Sequence, residues 1–136
     1  MRGSRAGKVF YFLSTDYSGE VPPSAWHPNM DVYEAAEAWV VVLEVPGVRP
    51  DDLEVVQQED RIIVKGVRHA GTSREAQRFH QIEIACGPFV REIRLPSHLR
   101  GAAVEASLAL GILSLRIRKQ PTTEVVAVYK IKIKAE

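Results

Sequence analysis

The sequence predicts an all-β fold, an antiparallel sandwich or barrel, on three observations. Short runs rich in β-branched residues recur between residues 30 and 117, with Gly, Pro and Asp turn signals between them. Inside those runs the side chains alternate with the period of a strand: Phe89, Ile93 and Leu95 point one way, Val90, Glu92 and Arg94 the other. No segment carries a convincing helical period, residues 74–81 being the one weak and short candidate.

The elements follow in order. Residues 30–34 form a first strand and 38–45 a second, closed by Pro46-Gly47. Arg49-Pro50-Asp51-Asp52 is a turn, because proline presets φ and aspartate can bond its own backbone. Strands 53–57 and 61–65 flank Gln58-Glu59-Asp60 as a hairpin. Residues 67–81 are too long for a plain hairpin connection, and long loops in compact domains are usually functional or disordered. A strand over 89–95 is stopped by Pro96, and strands 104–108 and 112–117 are joined through Gly111. Outside this region, residues 1–28 read as an extended arm, held stiff by Pro22-Pro23 and Pro28. The expected organisation is therefore an arm (1–28), one domain (29–119) and a tail (120–136).

Composition narrows the function. Lys plus Arg (18) nearly cancel Asp plus Glu (17), so the charge balance calls for neither nucleic acid nor an anionic membrane. No apolar run reaches the roughly 18 residues of a membrane span. Cys86 is the single cysteine, which excludes an intrachain disulfide and leads us to expect a cytoplasmic protein. Arg2, Arg5 and Lys8 precede the apolar run Val9-Phe10-Tyr11-Phe12-Leu13 in the manner of a secretory leader. That run falls short of the roughly 7–15 residues of a leader core and ends at Ser14-Thr15-Asp16.

Catalytic and cofactor signals are weak. Gly3-Ser4-Arg5-Ala6-Gly7-Lys8-Val9 imitates a phosphate-binding loop, but it is one residue short, lacks the magnesium-binding hydroxyl and follows no strand. His27, His69, His80 and His98 are scattered, without metal-ligand spacing, and Cys86 has no base at a recognisable spacing. We expect no enzyme activity, no metal and no cofactor.

Two features point to binding. Arg91 shares strand parity with Phe89, Ile93 and Leu95, which places a guanidinium on an apolar face. It then needs a carboxylate or carbonyl partner, or it extends past the sheet edge to water. In the tail, Lys130-Ile131-Lys132-Ile133-Lys134 puts both isoleucines on one side and the lysines on the other, a peg for another surface. Val126-Ala127-Val128 has the same form and competes for that role.

Several motifs occur in a fixed order. Met30-Asp31-Val32-Tyr33-Glu34 precedes a strand ending in Pro46-Gly47-Val48. Asp51-Asp52-Leu53-Glu54-Val55 and Arg61-Ile62-Ile63-Val64-Lys65-Gly66 come next, followed by Gly87-Pro88-Phe89-Val90-Arg91-Glu92-Ile93-Arg94-Leu95-Pro96. Val104-Glu105-Ala106 then leads to Gly111-Ile112-Leu113. Over roughly residues 28–119 the set resembles the small heat-shock proteins, with their α-crystallin domain. Leu110 stands where the family usually has Asn, Ile84 where Arg is frequent, and Arg118 where proline commonly precedes Lys119.

The resemblance implies an immunoglobulin-like sandwich and an ATP-independent holdase that works as a dynamic homo-oligomer. Its partners are expected to be other copies of itself and unfolding client proteins. Ile131 and Ile133 resemble the family's I-x-I peg, which docks in a neighbouring subunit between strands matching 53–57 and 104–108. Leu53, Val55, Val104 and Ala106 would line that groove; pairing of the tail within its own subunit is the other reading. The long loop resembles one that swaps a strand, here 76–80, onto residues 30–34 of a partner. That assigns Met30, Val32 and Phe79 to the dimer interface, while a flexible solvent loop stands against it; Arg91 joins them because the family resembled has an arginine here near its dimer contacts. The arm residues Phe10, Tyr11, Phe12, Leu13, Tyr17 and Trp26 offer apolar surface to clients, or else are sequestered inside the oligomer. A non-catalytic adaptor that recruits one defined partner is the alternative function.

Overall fold

The alternation read from the sequence becomes a two-layer sandwich. The computed structural model describes residues 26–69, 75–119 and 128–136. In chain order the strands are β1 (Met30–Glu34), β2 (Ala38–Glu44), β3 (Leu53–Gln58), β4 (Arg61–Arg68), β5 (Gly87–Arg94), β6 (Val104–Ala109), β7 (Ile112–Arg118), β8 (Val128–Ile131) and β9 (Ile133–Ala135). One sheet has the order β1-β2-β7-β6-β9 and the other β5-β4-β3-β8. The β9–β6 pairing is parallel; the others among the described residues are antiparallel. Helical structure among these residues is limited to the 3-10 turns Pro50–Asp52 and Ser97–Leu99.

The core lies where the two inner faces meet. Val41 and Leu43 of β2 and Leu113, Leu115 and Ile117 of β7 form one wall. Val55, Ile62, Val64 and Phe89 form the other, and all nine are fully buried. Burying such a side chain completely is worth about 1.5–3 kcal/mol, so this layer dominates the stability of the sandwich.

Three boundaries differ from the sequence reading. Strand β4 passes through Gly66 to Arg68 instead of ending at residue 65. A Cβ on Gly66 would lie 2.5 Å from the Asp52 carbonyl oxygen and 2.8 Å from Phe89 Cζ. The glycine therefore permits close packing inside the strand and does not end it. The long connection accordingly shifts to residues 69–86, and its described residues, 69 and 75–86, hold neither strand nor helix. Lastly, Trp26 does not belong to an exposed arm. It is buried in the core, edge-on to Phe89 with ring centroids 5.1 Å apart. The Arg68 guanidinium lies 3.8 Å from the centre of the Trp26 ring, the distance of a cation–π contact. Phe10, Tyr11, Phe12, Leu13 and Tyr17 fall outside the described residues.

Candidate functional site

The sandwich has an open seam on one side, and the tail lies in it. Strand β3 belongs to one sheet and β6 to the other, so neither is the other's hydrogen-bonding partner. Strand β8 adds to β3, with Ile131 opposite Val55. The chain then steps across at Lys132, and β9 adds to β6 with Ile133 opposite Ala106. One short segment thus pairs with both sheets of its own chain.

Parity sets the inward faces of the two strands that pair with the tail. Leu53 and Val55 share the inward face of β3, and Ala106 that of β6; all three are buried, and Val104 is half-buried against the same core. Ile131 is 9% exposed and joins the core cluster, while Ile133 packs against it half-buried. The lysines alternate outward as the sequence reading required. Lys130, Lys132 and Lys134 border a half-open cleft of about 580 Å³, with Tyr33, Val40 and Arg116 on the adjoining sheet face. Of the competing pair, Val126 lies outside the described residues, and Val128 enters β8 through its backbone opposite Gln58.

Charges brace the groove from outside. Lys130 Nζ lies 3.6 Å from Glu54 Oε2, and Glu54 also faces Lys65 across the β3–β4 ladder. Burial lowers the Lys65 pKa from the usual lysine value, partly opposed by the Glu54 charge, with Lys130 lowering it further. The Glu54 carboxylate thus serves two ammonium groups, one on the body and one on the tail.

At the far edge, β1 ends the five-stranded sheet with its outer side unpaired among the described residues. Val32 has inward parity, opposite Val41, yet is 43% exposed. The physical reason is overhang: the facing sheet has four strands and its seam edge is aligned with the tail, so β1 projects past β5. Met30 reaches the core and is half-buried. Arg91 lies on β5, the edge strand of the second sheet, and is half-buried. Its Nη1 donates to the Pro28 carbonyl at 2.5 Å. The apolar-face arginine thus meets a carbonyl of its own chain, just before β1. Lys119 Nζ ties the end of β1 down at 2.5 Å from Glu34 Oε2, and this hydrogen bond holds the Glu34 carboxyl below its usual pKa.

Phe79 lies on the irregular segment 75–86 and is exposed. Ile82 and Ile84 on the same segment are exposed as well, at 73% and 82%. Sequence reasoning passed over that pair, although Ile82-Glu83-Ile84 repeats the alternation singled out in the tail. The Arg68 guanidinium donates to the carbonyls of Ala85 and Pro46 and caps Trp26. That one side chain fastens the base of the 69–86 connection to the start of the domain.

Comparison with known proteins agrees with this geometry. The profile of the Hsp20/alpha crystallin family matches residues 31–134. Spore protein SP21 of Stigmatella aurantiaca is 35% identical over 102 residues, 75% of this chain and 60% of that protein. The 18.9 kDa heat shock protein of Oryza sativa subsp. japonica is 33% identical over 100 residues, 73% of this chain and 55% of that protein. The chain therefore spans a little over half the length of these curated relatives. Among solved structures, a small heat-shock protein from Xylella fastidiosa with a distinct high order structure superposes with a TM-score of 0.64 at 31% identity. That match covers 74% of this chain and 93% of the other.

Proposed function

This chain belongs to the Hsp20/alpha crystallin family, and we propose that it is an ATP-independent holdase that captures partly unfolded proteins within a dynamic homo-oligomer. The observation that carries this reading is the tail seated in the seam by Ile131 and Ile133. A short two-sided strand closing an apolar groove is a detachable part, and the groove it leaves can accept the same segment from another copy. Release of the tail exposes Leu53, Val55, Val104 and Ala106, so assembly and the display of apolar surface draw on one equilibrium.

The other assembly contact in this proposal is the β1 edge. The side of β1 left unpaired among the described residues, with Met30 and Val32, receives residues 76–80 of a second copy, bringing Phe79 across, while Arg91 stabilises the site through the Pro28 carbonyl. The residues outside the described sandwich at the N-terminal side, Phe10, Tyr11, Phe12, Leu13 and Tyr17, act as client-binding apolar surface. Trp26 is taken out of that set because it is part of the core. The expected setting is the cytoplasm, where the lone Cys86 stays reduced.

The test is a heat-unfolding client incubated with the full chain and no nucleotide, followed by light scattering. Suppressed scattering near equimolar ratio is the expected result. Scattering undiminished at several-fold molar excess of this chain overturns the proposal.

A further inference from the structure

We propose that Leu110, at the tip of the β6–β7 hairpin, is a rigid apolar anchor for extended apolar segments of unfolding proteins. The proposal rests on the holdase reading above and names one contact point within it. Leu110 and Gly111 connect the paired residues Ala109 and Ile112, with φ of +52° and +78°. Two positive φ values in a two-residue hairpin describe a type I′ turn, whose first position favours Asn, Asp or Gly. Leucine is disfavoured there because its Cβ crowds the backbone in the left-handed region.

Among the described residues nothing packs over the side chain in return. Leu110 is 101% exposed, more than any other large hydrophobic residue among those described. A singly exposed leucine is ordinary on a protein surface. Exposure at a position where the backbone also disfavours leucine is not, and such outliers point to function. Nor is the tip loose: the Val45 amide donates to the Gly111 carbonyl at 2.7 Å. Gly111 also packs so closely that a Cβ would lie 2.9 Å from Pro46 Cα. The turn therefore holds the leucine outward at a fixed place.

Size decides between partners. A specific interface with another copy buries about 1,200–2,000 Å². The hairpin tip offers Leu110 with half-buried Ala109 and, against Gly111, the exposed Pro46, three residues where such an interface uses about 20–30 a side. A point contact of this kind suits a flexible apolar segment that touches several copies in turn, where weak contacts add through multivalency.

The variant Leu110→Asn separates the contributions because its effects have opposite signs. Relief of the turn raises the midpoint of thermal unfolding by about 3–6 °C. Client protection falls, so that roughly threefold more protein is needed for half-suppression of scattering, as expected for one lost weak contact per copy. Assembly mass by light scattering stays as in the parent. Leu110→Met, which keeps the apolar side chain and the strained turn, retains client protection. A benzoylphenylalanine at position 110 crosslinks to a purified client on heating.

Equal protection by Leu110→Asn and by an active parent overturns this inference alone and leaves the holdase reading standing. A parent that protects no client overturns both. A changed assembly mass, or crosslinks confined to other copies of this chain, overturns the client assignment. A lowered or unchanged midpoint overturns the strain argument.

Discussion

Replacing Ile131 by alanine isolates the contact on which the tail depends. Ile131 lies opposite Val55, is 9% exposed and joins the core cluster. Truncating a buried isoleucine to alanine costs about 2–5 kcal/mol. The tail is an added edge that can relax, so the lower part of that range applies, about 2–3 kcal/mol. At about 1.4 kcal/mol per tenfold, the ratio of docked to undocked tail falls about 30- to 150-fold. Hydrogen–deuterium exchange reads this ratio directly through the backbone amides of β8 and of the β3 residues it covers. Ile133, half-buried, produces the smaller change of the two when truncated. Combining Ile131→Ala with Val55→Ala gives a non-additive result, with a coupling of about 0.5–3 kcal/mol as for residues in contact. Unchanged exchange in β8, or an equal effect from Val128→Ala, refutes the assignment of Ile131 as the peg.

Other perturbations have defined outcomes. Trp26→Ala removes a core side chain and the platform under Arg68, at a cost of about 3–5 kcal/mol. The thermal midpoint falls by about 12 °C or more, and a fall under about 2 °C contradicts the burial of Trp26. Arg91→Leu leaves the Pro28 carbonyl without its described donor, destabilising by about 1–3 kcal/mol. Sedimentation of that variant at low concentration gives more monomer than the parent, and an unaltered distribution removes Arg91 from the dimer contact. The Glu34–Lys119 tie depends on acid. Because the folded-state pKa is below the usual 4.5, its contribution is complete above that value and is lost as pH falls through the lowered one. Amide protection in β1, taken relative to the intrinsic exchange rate at each pH, falls only on that acid side; a loss of protection between pH 5 and 7 contradicts the tie.

Much of the sandwich was legible because each layer leaves its own period. Along β5 and the residue after it, the alternation of Phe89, Ile93 and Leu95 is a direct record of which face meets the core. In β2 it is blurred, since Ala38 and Val40 on the opposite parity are buried too, and the strand reads as a continuous apolar run. What local patterns could not carry were effects set by residues remote in sequence. Gly66 looks like a stop signal until Phe89 and the Asp52 carbonyl are brought against it. Trp26 sits among prolines and reads as linker until Arg68 and Phe89 close around it. That the tail's isoleucines meet the strands carrying Val55 and Ala106 was readable from alternation and resemblance. Whose groove the peg fills was not, because residues 131 and 133 carry the same side chains whether the strand they join belongs to their own chain or to a neighbour. In the single chain the tail closes its own seam.

The measurement that bears most directly on this account is the assembly mass of the full chain against that of a chain ending at Lys119, determined by size-exclusion chromatography with light scattering. The account predicts that the full chain forms a large species through tail exchange, and that removing the tail reduces it to the dimer held by β1. Equal masses for the two chains would contradict it, because the seam would then hold Ile131 and Ile133 without joining one copy to the next.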